Sequence, residues 1–259
     1  MPDDGAADTK GQIPTNLRLL LVLEEVARAG VPVTPADVVG SLGLPKPTVH
    51  RLFHTAEEEG FLQRDIDGRS YGPGPRLRRL SVNTLSSQRL RTVRLSILNS
   101  VVEAMGETCN IAVPDREGMV YLDRIETKWP LRIQLPVGTQ VPFHCTASGK
   151  MYLSSLNLRY LDRLLAAHAL NRHTKMTFTD IKALKAELAL TRKRGYSTDN
   201  EEFMEGMVAV AVPILDDQGR LVSTLSAHAP LQRHQLSDLT GNVTTLQNAA
   251  QQLTELLQS

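Results

Sequence analysis

The segment GLPKPTVHRLF, residues 43–53, contains the pattern that decides the fold of the first part of this chain. Pro47 fits only the first turn of a helix, because deeper inside it would remove a backbone hydrogen bond. The apolar residues that follow have the spacing of a buried helical stripe: Val49, Leu52, Phe53 and Ala56. The sequence therefore predicts a helix that begins near Pro47 and packs along one face.

The other face of this helix is basic only in its amino-terminal half. The polar residues there are Lys46, Thr48, His50, Arg51 and His54. Three acids, residues 57–59, occupy the opposite end, so only the first half can approach a polyanion without repulsion. This polarity is typical of a recognition helix in a DNA major groove. His50 and His54 lack a third nearby ligand, which argues against a metal site.

Two amphipathic helical patterns precede this helix, the second opened by a capping box of Thr34 and Asp37. The segment FLQRDIDGRSYGPG, residues 61–74, follows it and predicts a hairpin that turns at Asp67-Gly68. The arms of that hairpin carry two basic residues, Arg64 and Arg69. Three helices and a basic hairpin predict a winged helix-turn-helix, with a plain helical domain as the alternative.

The length of 259 residues favours two domains with separate cores. The first residues of the chain lack the pattern of a signal peptide, and no apolar run has the length of a membrane span. We therefore expect a cytoplasmic protein. Cys109 and Cys145 are too few for a disulfide framework, and a reduced pair is expected. The net charge of +1 says nothing about partners, but every charged residue in segment 75–102 is an arginine.

The rest of the chain predicts a polar, disordered tail over residues 1–13, a DNA-binding domain over 14–76, a linker helix over 77–105 and a second domain over 106–259. Strand patterns in the second domain are CNIAV, MVYLDRI, LRIQL, VAVAVPIL and LVSTLSAH. Helical patterns lie near residues 147–155, 158–167, 179–194 and 232–257. This mixture predicts an α+β fold.

The segment VPFHCTASGK, residues 141–150, raises a question about chemistry. Catalysis would need His144 and Cys145 in contact, whereas successive side chains diverge in regular structure. We favour packing of both residues over catalysis, and a metal held by some of His144, Cys145 and His228 stays open as a minor alternative. Small residues at the start of a helix expose backbone N–H groups that can bind a carboxylate. Lys150 is expected to face solvent.

Three blocks together resemble the isocitrate lyase regulator (IclR) family of bacterial transcription regulators: GLPKPTVHRLF, VPFHCTASGK and RGYSTDNEEFMEGMVAVAVPI. The resemblance extends from about Pro14 to Leu257. It implies a winged helix, a linker helix used in dimerisation, and a carboxy-terminal GAF-like domain that binds a small organic acid.

Within that domain the resemblance implies an effector-binding set of Ile133, Val141, Ala147, Ser148, Asp199, Met207, Ala209, Ser226 and His228, to which the helix start adds Gly149. Ala209 stands where some family members have cysteine, and His228 where serine is frequent, so the effector can differ from pyruvate or glyoxylate. The expected pH dependence comes from His228, whose protonation beside a carboxylate would tighten binding as the pH falls through its ordinary range.

These observations predict a ligand-responsive regulator and no enzyme. Its expected partners are double-stranded operator DNA, a small carboxylate effector and a second copy of the chain, as a homodimer or a dimer of dimers, with no cofactor and no membrane. The alternatives are an architectural DNA-binding protein without an effector and, more distantly, an enzyme that uses Cys145 and His144.

Overall fold

The computed structural model describes residues 13–85, 88–130 and 132–258, and the chain divides into two compact units, Met1–Thr84 and Leu85–Ser259. Apart from Ile13, the predicted disordered tail lies outside the described residues. Each unit has its own apolar core.

The described residues of the first unit contain four helices and a two-stranded sheet. Its elements are α1 (Arg18–Ala29), α2 (Pro35–Leu42), α3 (Lys46–Glu58), β1 (Leu62–Arg64), β2 (Tyr71–Pro73) and all but the last residue of α4 (Pro75–Leu85). The predicted stripe of α3 packs into the core through Val49, Phe53 and Ala56, while Leu52 is half-buried. The Asp37 carboxylate accepts hydrogen bonds from the N–H and hydroxyl of Thr34 at 2.8 and 2.7 Å, which stabilises the start of α2. The predicted helix-turn-helix with a hairpin is therefore confirmed.

The connection of the hairpin is longer than the predicted two-residue turn. Residues 65–70 separate β1 from β2, and the Gly68 N–H donates to the Asp65 carbonyl. Gly68 has a positive φ of 66°, a conformation that glycine adopts without strain. Asp67 accepts from the N–H groups of Arg69 and Ser70, each at 2.8 Å, so its carboxylate stabilises a wider loop.

The stretch predicted as one linker helix contains two described helices, α4 and α5 (Gln88–Met105), with residues 86 and 87 outside the described residues. The leucines of this stretch have different environments. Leu80 is 55% exposed, whereas Leu98 is fully buried in the core of the second unit. The side chain of Leu85 lies outside the described residues.

The second unit contains a six-stranded antiparallel sheet in the order β5-β4-β3-β8-β7-β6. The strands are β3 (Thr108–Pro114), β4 (Met119–Ile125), β5 (Gln140–Val141), β6 (Ser197–Asn200), β7 (Met207–Leu215) and β8 (Leu221–Pro230). The further helices are α6 (Ala147–Ser155), α7 (Leu158–Ala167), α8 (Ile181–Arg194), α9 (Leu236–Gly241) and α10 (Val243–Gln258). This is the expected α+β fold.

Three details of the second unit differ from the sequence prediction. LRIQL does not form a strand in its described part, residues 132–135, because prolines at 130 and 136 flank it and cannot donate to a ladder. The helical pattern over 232–257 forms two helices, α9 and α10, which meet near Gly241. The short strands β5 and β6 were not predicted, since neither has a clear apolar alternation.

A buried ion pair connects α6 to the segment after β6. Lys150 is fully buried, contrary to the expectation that it faces solvent, and its Nζ lies 2.5 and 2.6 Å from the two Glu202 oxygens. The same ammonium lies 5.0 Å from the centre of the Phe178 ring. Burial nevertheless raises the pKa of Glu202 above its ordinary value. Each charge therefore depends on the other for its stability in the interior.

Replacing Lys150→Met tests this dependence, because it leaves the Glu202 carboxylate buried without its partner. We expect a loss of about 3–5 kcal/mol in the free energy of unfolding, measured by urea denaturation with circular dichroism. Without Lys150 the folded chain holds the Glu202 proton more tightly than the unfolded chain, so the loss should grow as the pH rises above glutamate's ordinary pKa range. The double variant Lys150→Met/Glu202→Gln should recover part of it. An equal loss in the exposed control Lys175→Met would contradict the assignment.

Candidate functional site

Strands β7 and β8 divide their side chains between two layers. Val208, Val210 and Val212 alternate with Ala209 and Ala211 along β7. The valines pack with α5 and α10, whereas the alanines pack against Ala147 and Met151 of α6. The second face therefore lies beneath α6.

Strand register assigns most of the predicted polar residues to this second face. Asp199 pairs with Ala209, Ala209 with His228, and His228 with Thr108 across four strands. In the next row Ser226 lies between Ala211 and Asn110, and Arg124 follows Asn110. Partners in an antiparallel sheet share a face. Asp199, Ala209, Ser226 and His228 are thus brought to the same side as α6, and each is nearly inaccessible to solvent.

The start of α6 provides fewer free backbone donors than the sequence suggested. The Thr146 hydroxyl accepts from the Gly149 N–H at 3.0 Å, which occupies that donor. The N–H groups of Ala147 and Ser148 form no hydrogen bond within the described part of the chain. Gly149 instead permits close packing, because a Cβ there would collide with the backbone of Phe143. A carboxylate at this helix start would therefore contact Ala147 and Ser148.

Arg124 is the central charged group on this face, with a side chain only 4% exposed. Its Nη1 donates to Asn110 Oδ1 at 2.9 Å and lies 3.4 Å from His228 Nε2, and its Nη2 donates to the Ile133 carbonyl. Its Nε lies 3.2 Å from Glu126, which also pairs with Arg132 at 2.6 Å. The Arg124 guanidinium is therefore a buried positive charge on this face, partly compensated by Glu126.

His228 is held as a neutral imidazole. His228 Nδ1 lies 3.0 Å from the Asn110 amide nitrogen, which donates because Asn110 Oδ1 accepts from Arg124, and His228 Nε2 lies 3.4 Å from Arg124 Nη1. Burial, followed by repulsion from Arg124, lowers the pKa of His228 to about 3. The expectation that His228 gains a proton near its ordinary pKa is therefore wrong. The positive charge on this face belongs to Arg124.

Asp199 has one carboxylate oxygen without a partner. Its Oδ1 accepts from the Glu202 N–H at 2.8 Å, whereas its Oδ2 forms no hydrogen bond among the described residues. Burial and the neighbouring Glu202 raise the pKa of Asp199 to about 8. The group is therefore mostly a neutral acid at pH 7, and it can donate a hydrogen bond as well as accept one.

The apolar members of the predicted set have three different surroundings. Val141 is buried in a cluster that includes Met119 and Phe143. Met207 is 4% exposed at the start of β7. Ile133 is half-buried in the loop between β4 and β5, where its carbonyl accepts from Arg124.

His144 and Cys145 are close in space, contrary to the expected divergence of adjacent side chains. The segment 142–146 is irregular, and regular alternation does not apply to it. The structure brings both residues together with His173, rather than with His228. Burial and the charges of Asp199 and Glu202 raise the pKa of the Cys145 thiol, which disfavours the reactive thiolate.

Sequence reasoning missed Arg124, Asn110 and the pairing of Lys150 with Glu202. Arg124 lies in the strand pattern MVYLDRI, from which no site residue was predicted. The alternation itself indicated a buried charge. Asp123 and Arg124 are adjacent in the strand and point to opposite faces of the sheet, so a sheet covered on either face buries at least one of them.

The first unit presents the predicted DNA-binding residues on the exposed side of α3 and on the hairpin. Lys46, His50, Arg51 and His54 are exposed and Thr48 is half-buried. Two of the predicted contacts already have acidic partners, since His54 lies 3.5 Å from Glu58 and Arg64 lies 2.7 Å from Glu57. Arg69 is exposed in the loop of the hairpin.

Among the described residues, no helix combines the length and apolar character that crossing a bilayer requires.

Two family descriptions match this chain. The IclR helix-turn-helix domain matches residues 17–65, and the bacterial transcriptional regulator IclR C-terminal domain matches residues 82–255. The probable transcriptional regulator SauR of Cupriavidus necator is 39% identical over 92% of this chain and 94% of its own length. The transcriptional repressor IclR of Escherichia coli is 30% identical over 90% of this chain and 85% of its own.

Solved structures agree with these matches. IclR of Thermotoga maritima has a TM-score of 0.62 at 26% identity and covers 93% of this chain and 97% of its own. An IclR homologue of Microbacterium hydrocarbonoxydans complexed with 4-hydroxybenzoate has a TM-score of 0.60 at 28% identity, covering 94% and 98%. The inducer-binding domain of an Acinetobacter PobR double mutant, complexed with 3-hydroxybenzoic acid, has a TM-score of 0.59 at 29% identity, covering 63% and 96%. With both of its units matched in order, this chain belongs to the IclR family of bacterial transcriptional regulators.

Proposed function

We propose that this regulator binds a small aromatic or hydroxylated carboxylic acid on the sheet face beneath α6, and that the bound acid changes its affinity for operator DNA. The observation that carries the proposal is the buried Arg124 guanidinium, in contact with Asn110 and His228 on that face. Two related proteins have hydroxybenzoates bound, which supports this class of ligand.

The proposed site matches the chemistry of such an acid. Its carboxylate interacts with the positive charge of Arg124, or with the N–H groups of Ala147 and Ser148. A hydroxyl group has the Ser226 hydroxyl and the His228 ring as partners. Ile133, Val141 and Met207 provide the apolar walls, with Ala209 leaving room where a larger residue would fill the space.

Asp199 resolves the difficulty of an acid beside an anionic ligand. Because its pKa is raised to about 8, it is mostly protonated at pH 7 and donates to the ligand instead of repelling it. The charged and titratable groups that act on it are Glu202 and Lys150, and it acts in turn on Cys145 and Tyr121.

Effector binding is tested by titration calorimetry with 3-hydroxybenzoate and 4-hydroxybenzoate at pH 7. Loss of a charge-assisted hydrogen bond of about 1.5–3 kcal/mol should make Arg124→Met bind about 10- to 100-fold more weakly than the wild type. The matched control is Arg132→Met, which removes the other arginine paired with Glu126 and should bind nearly as well as the wild type. If Arg124→Met binds equally well, the carboxylate has a different anchor.

The protonation of Asp199 has its own pH signature. Wild-type affinity should fall by about tenfold between pH 7 and pH 9, because the fraction of protonated Asp199 falls across its pKa of about 8. Asp199→Asn keeps a neutral donor at every pH and should not show that fall, which separates Asp199 from titration of the ligand. If the affinity of both proteins changed with pH in the same way, a hydrogen bond from protonated Asp199 to the ligand would be excluded.

For DNA, we propose that α3 enters a major groove with Arg51 reading a guanine edge, and that Lys46, Thr48, His50 and His54 support this contact. Arg64 and Arg69 on the hairpin contact phosphates or the minor groove. Exposure of Arg51 on the amino-terminal half of α3 supports this orientation. The DNA-binding segment is then residues 14–76 and the effector-binding segment residues 106–259, with 77–105 between them.

Arg51→Ala should cost about 1–3 kcal/mol of operator affinity and relax specificity at one base pair. Lys46→Ala should instead weaken all DNA sequences similarly and reduce the slope of log K against log salt by about one. Footprinting and fluorescence anisotropy at several salt concentrations measure both effects. Wild-type footprints from Arg51→Ala would refute the orientation.

A homodimer, or a dimer of dimers, is the proposed binding form, because one winged helix reads too few base pairs and a two-fold pair matches a near-palindromic operator. The exposed Leu80 of α4 supports a contact there. Sedimentation at micromolar concentration should give at least the dimer mass, and Leu80→Glu should shift it toward the monomer. A monomeric wild type would contradict the proposal.

Two other functions are less well supported. An architectural DNA-binding protein would have no use for the buried polar face of the second unit, and neither hydroxybenzoate nor any other small acid would change its operator affinity. An enzyme would need a reactive Cys145, whereas burial keeps that thiol protonated. We therefore propose a cytoplasmic regulator without catalytic activity.

A further inference from the structure

A cluster of metal-binding side chains lies just before α6. One ring nitrogen of His144, one of His173 and the Sγ of Cys145 are all within 4.8 Å of one another. His144 and Cys145 are buried, and His173 is exposed at the rim. This set is not needed for the proposed recognition of the acid or of DNA.

The hydrogen bond of His144 leaves one ring nitrogen free to bind a metal ion. Its Nε2 lies 2.9 Å from the Asn171 carbonyl, and since a carbonyl only accepts, Nε2 carries the proton. Nδ1 then keeps the lone pair and is the nitrogen that can coordinate an ion. A histidine ligand that donates its other N–H to a backbone carbonyl is the usual arrangement in metal sites, because it fixes the ring orientation.

The loop that carries His173 is held in place although His173 itself is exposed. The Thr177 hydroxyl oxygen accepts from the N–H groups of His173 and Thr174 at 3.0 and 2.8 Å, and it donates to the Glu202 carbonyl at 2.6 Å. The rings of His173 and His144 have centroids 6.0 Å apart. The three donors therefore belong to connected, ordered segments.

The three donor atoms are almost as close together as the ligand atoms around a bound metal ion. A tetrahedral Zn²⁺ with bonds of about 2.0–2.3 Å holds its ligand atoms roughly 3.5 Å apart. The widest pair needs to close by about 1 Å, which small side-chain rotations can supply. Two nitrogens and one sulfur are a donor set that suits Zn²⁺ and excludes the oxygen-preferring Ca²⁺ and Mg²⁺.

We propose that His144, Cys145 and His173 bind a zinc ion, with a fourth position open to water. Cys145 binds as the thiolate, and its proton leaves to solvent as the bond to the metal forms. The site crosslinks the segment before α6 to the loop around His173.

The test uses the full chain, stripped of metal with a chelator and kept reduced, and Zn²⁺ alone as the probe. Competition against a chromogenic chelator should give one tight Zn²⁺ per chain. His173→Ala removes an exposed ligand without disturbing the core and should weaken binding by at least about 100-fold, since even residues that only support a ligand cost up to that factor. His168→Ala, a histidine outside the cluster on the same unit, should bind like the wild type.

A second measurement identifies the sulfur ligand. Co²⁺ in place of Zn²⁺ should give a thiolate-to-cobalt charge-transfer band with the wild type and with His168→Ala, and Cys145→Ser should abolish the band while Cys109 remains. Circular dichroism checks that each variant is folded. The proposal is overturned if the wild type does not retain Zn²⁺ against the chelator, if His173→Ala binds with wild-type affinity, or if the band persists in Cys145→Ser.

Discussion

Alternation along β7 and β8 is the constraint on which the second unit depends. Successive residues of a strand point to opposite faces, so each strand forms an apolar layer on one side and a polar surface on the other. Val208, Val210 and Leu225 pack with α10, while Ser226 and His228 face the side beneath α6. A shift of one residue would exchange the two layers, burying polar groups among the helices α5 and α10 and removing the proposed binding face. The pairing register of β7 and β8 therefore determines both the stability of the second unit and the residues of its proposed binding face.

Buried charge is the second organising feature, and each charge has a different compensation. Lys150 pairs with Glu202, and Arg124 is surrounded by Asn110, a backbone carbonyl and Glu126. Asp199 forms no ion pair in the described part of the chain and stays mostly protonated at pH 7, as its raised pKa indicates. As a result, the face beneath α6 has one positive group, Arg124, and one neutral acid, Asp199. This combination suits a ligand with a single negative charge.

Local sequence signals predicted much of the fold, because helix starts, glycine stops and apolar periodicity act over a few residues. The limits of α6 and α7 agree with the patterns in the sequence, and the apolar stripe of α3 packs as its spacing indicated. Strands without an apolar alternation, such as β5 and β6, form because neighbouring strands pair with them, and no local pattern specifies that. The strand predicted for LRIQL was wrong for the opposite reason: the segment has a strand-like alternation, but the prolines on both sides prevent it from pairing.

The candidate sites were less accessible to sequence reasoning, because contacts over long separations determine them. Asn110 and His228 are 118 residues apart, and Lys150 and Glu202 are 52 apart. The resemblance to a family identified the loop before α6 and strand β8, yet His228 stays neutral because of its burial and because of Arg124 from another strand. His173 joins His144 and Cys145 only because the chain returns to that loop.

The ion pair between Arg64 and Glu57 has a consequence for how the first unit meets DNA. Arg64 bonds both oxygens of Glu57 at 2.7 and 3.1 Å, donates to the Gly68 carbonyl and stacks over the Tyr71 ring. These contacts attach the hairpin to α3, so that the two elements proposed to contact the double helix already have a fixed orientation toward each other. Less conformational entropy is lost on association, because the hairpin has little freedom left to give up. On the proposed orientation, the Arg64 guanidinium would contribute to affinity by fixing the hairpin as well as through any contact with DNA.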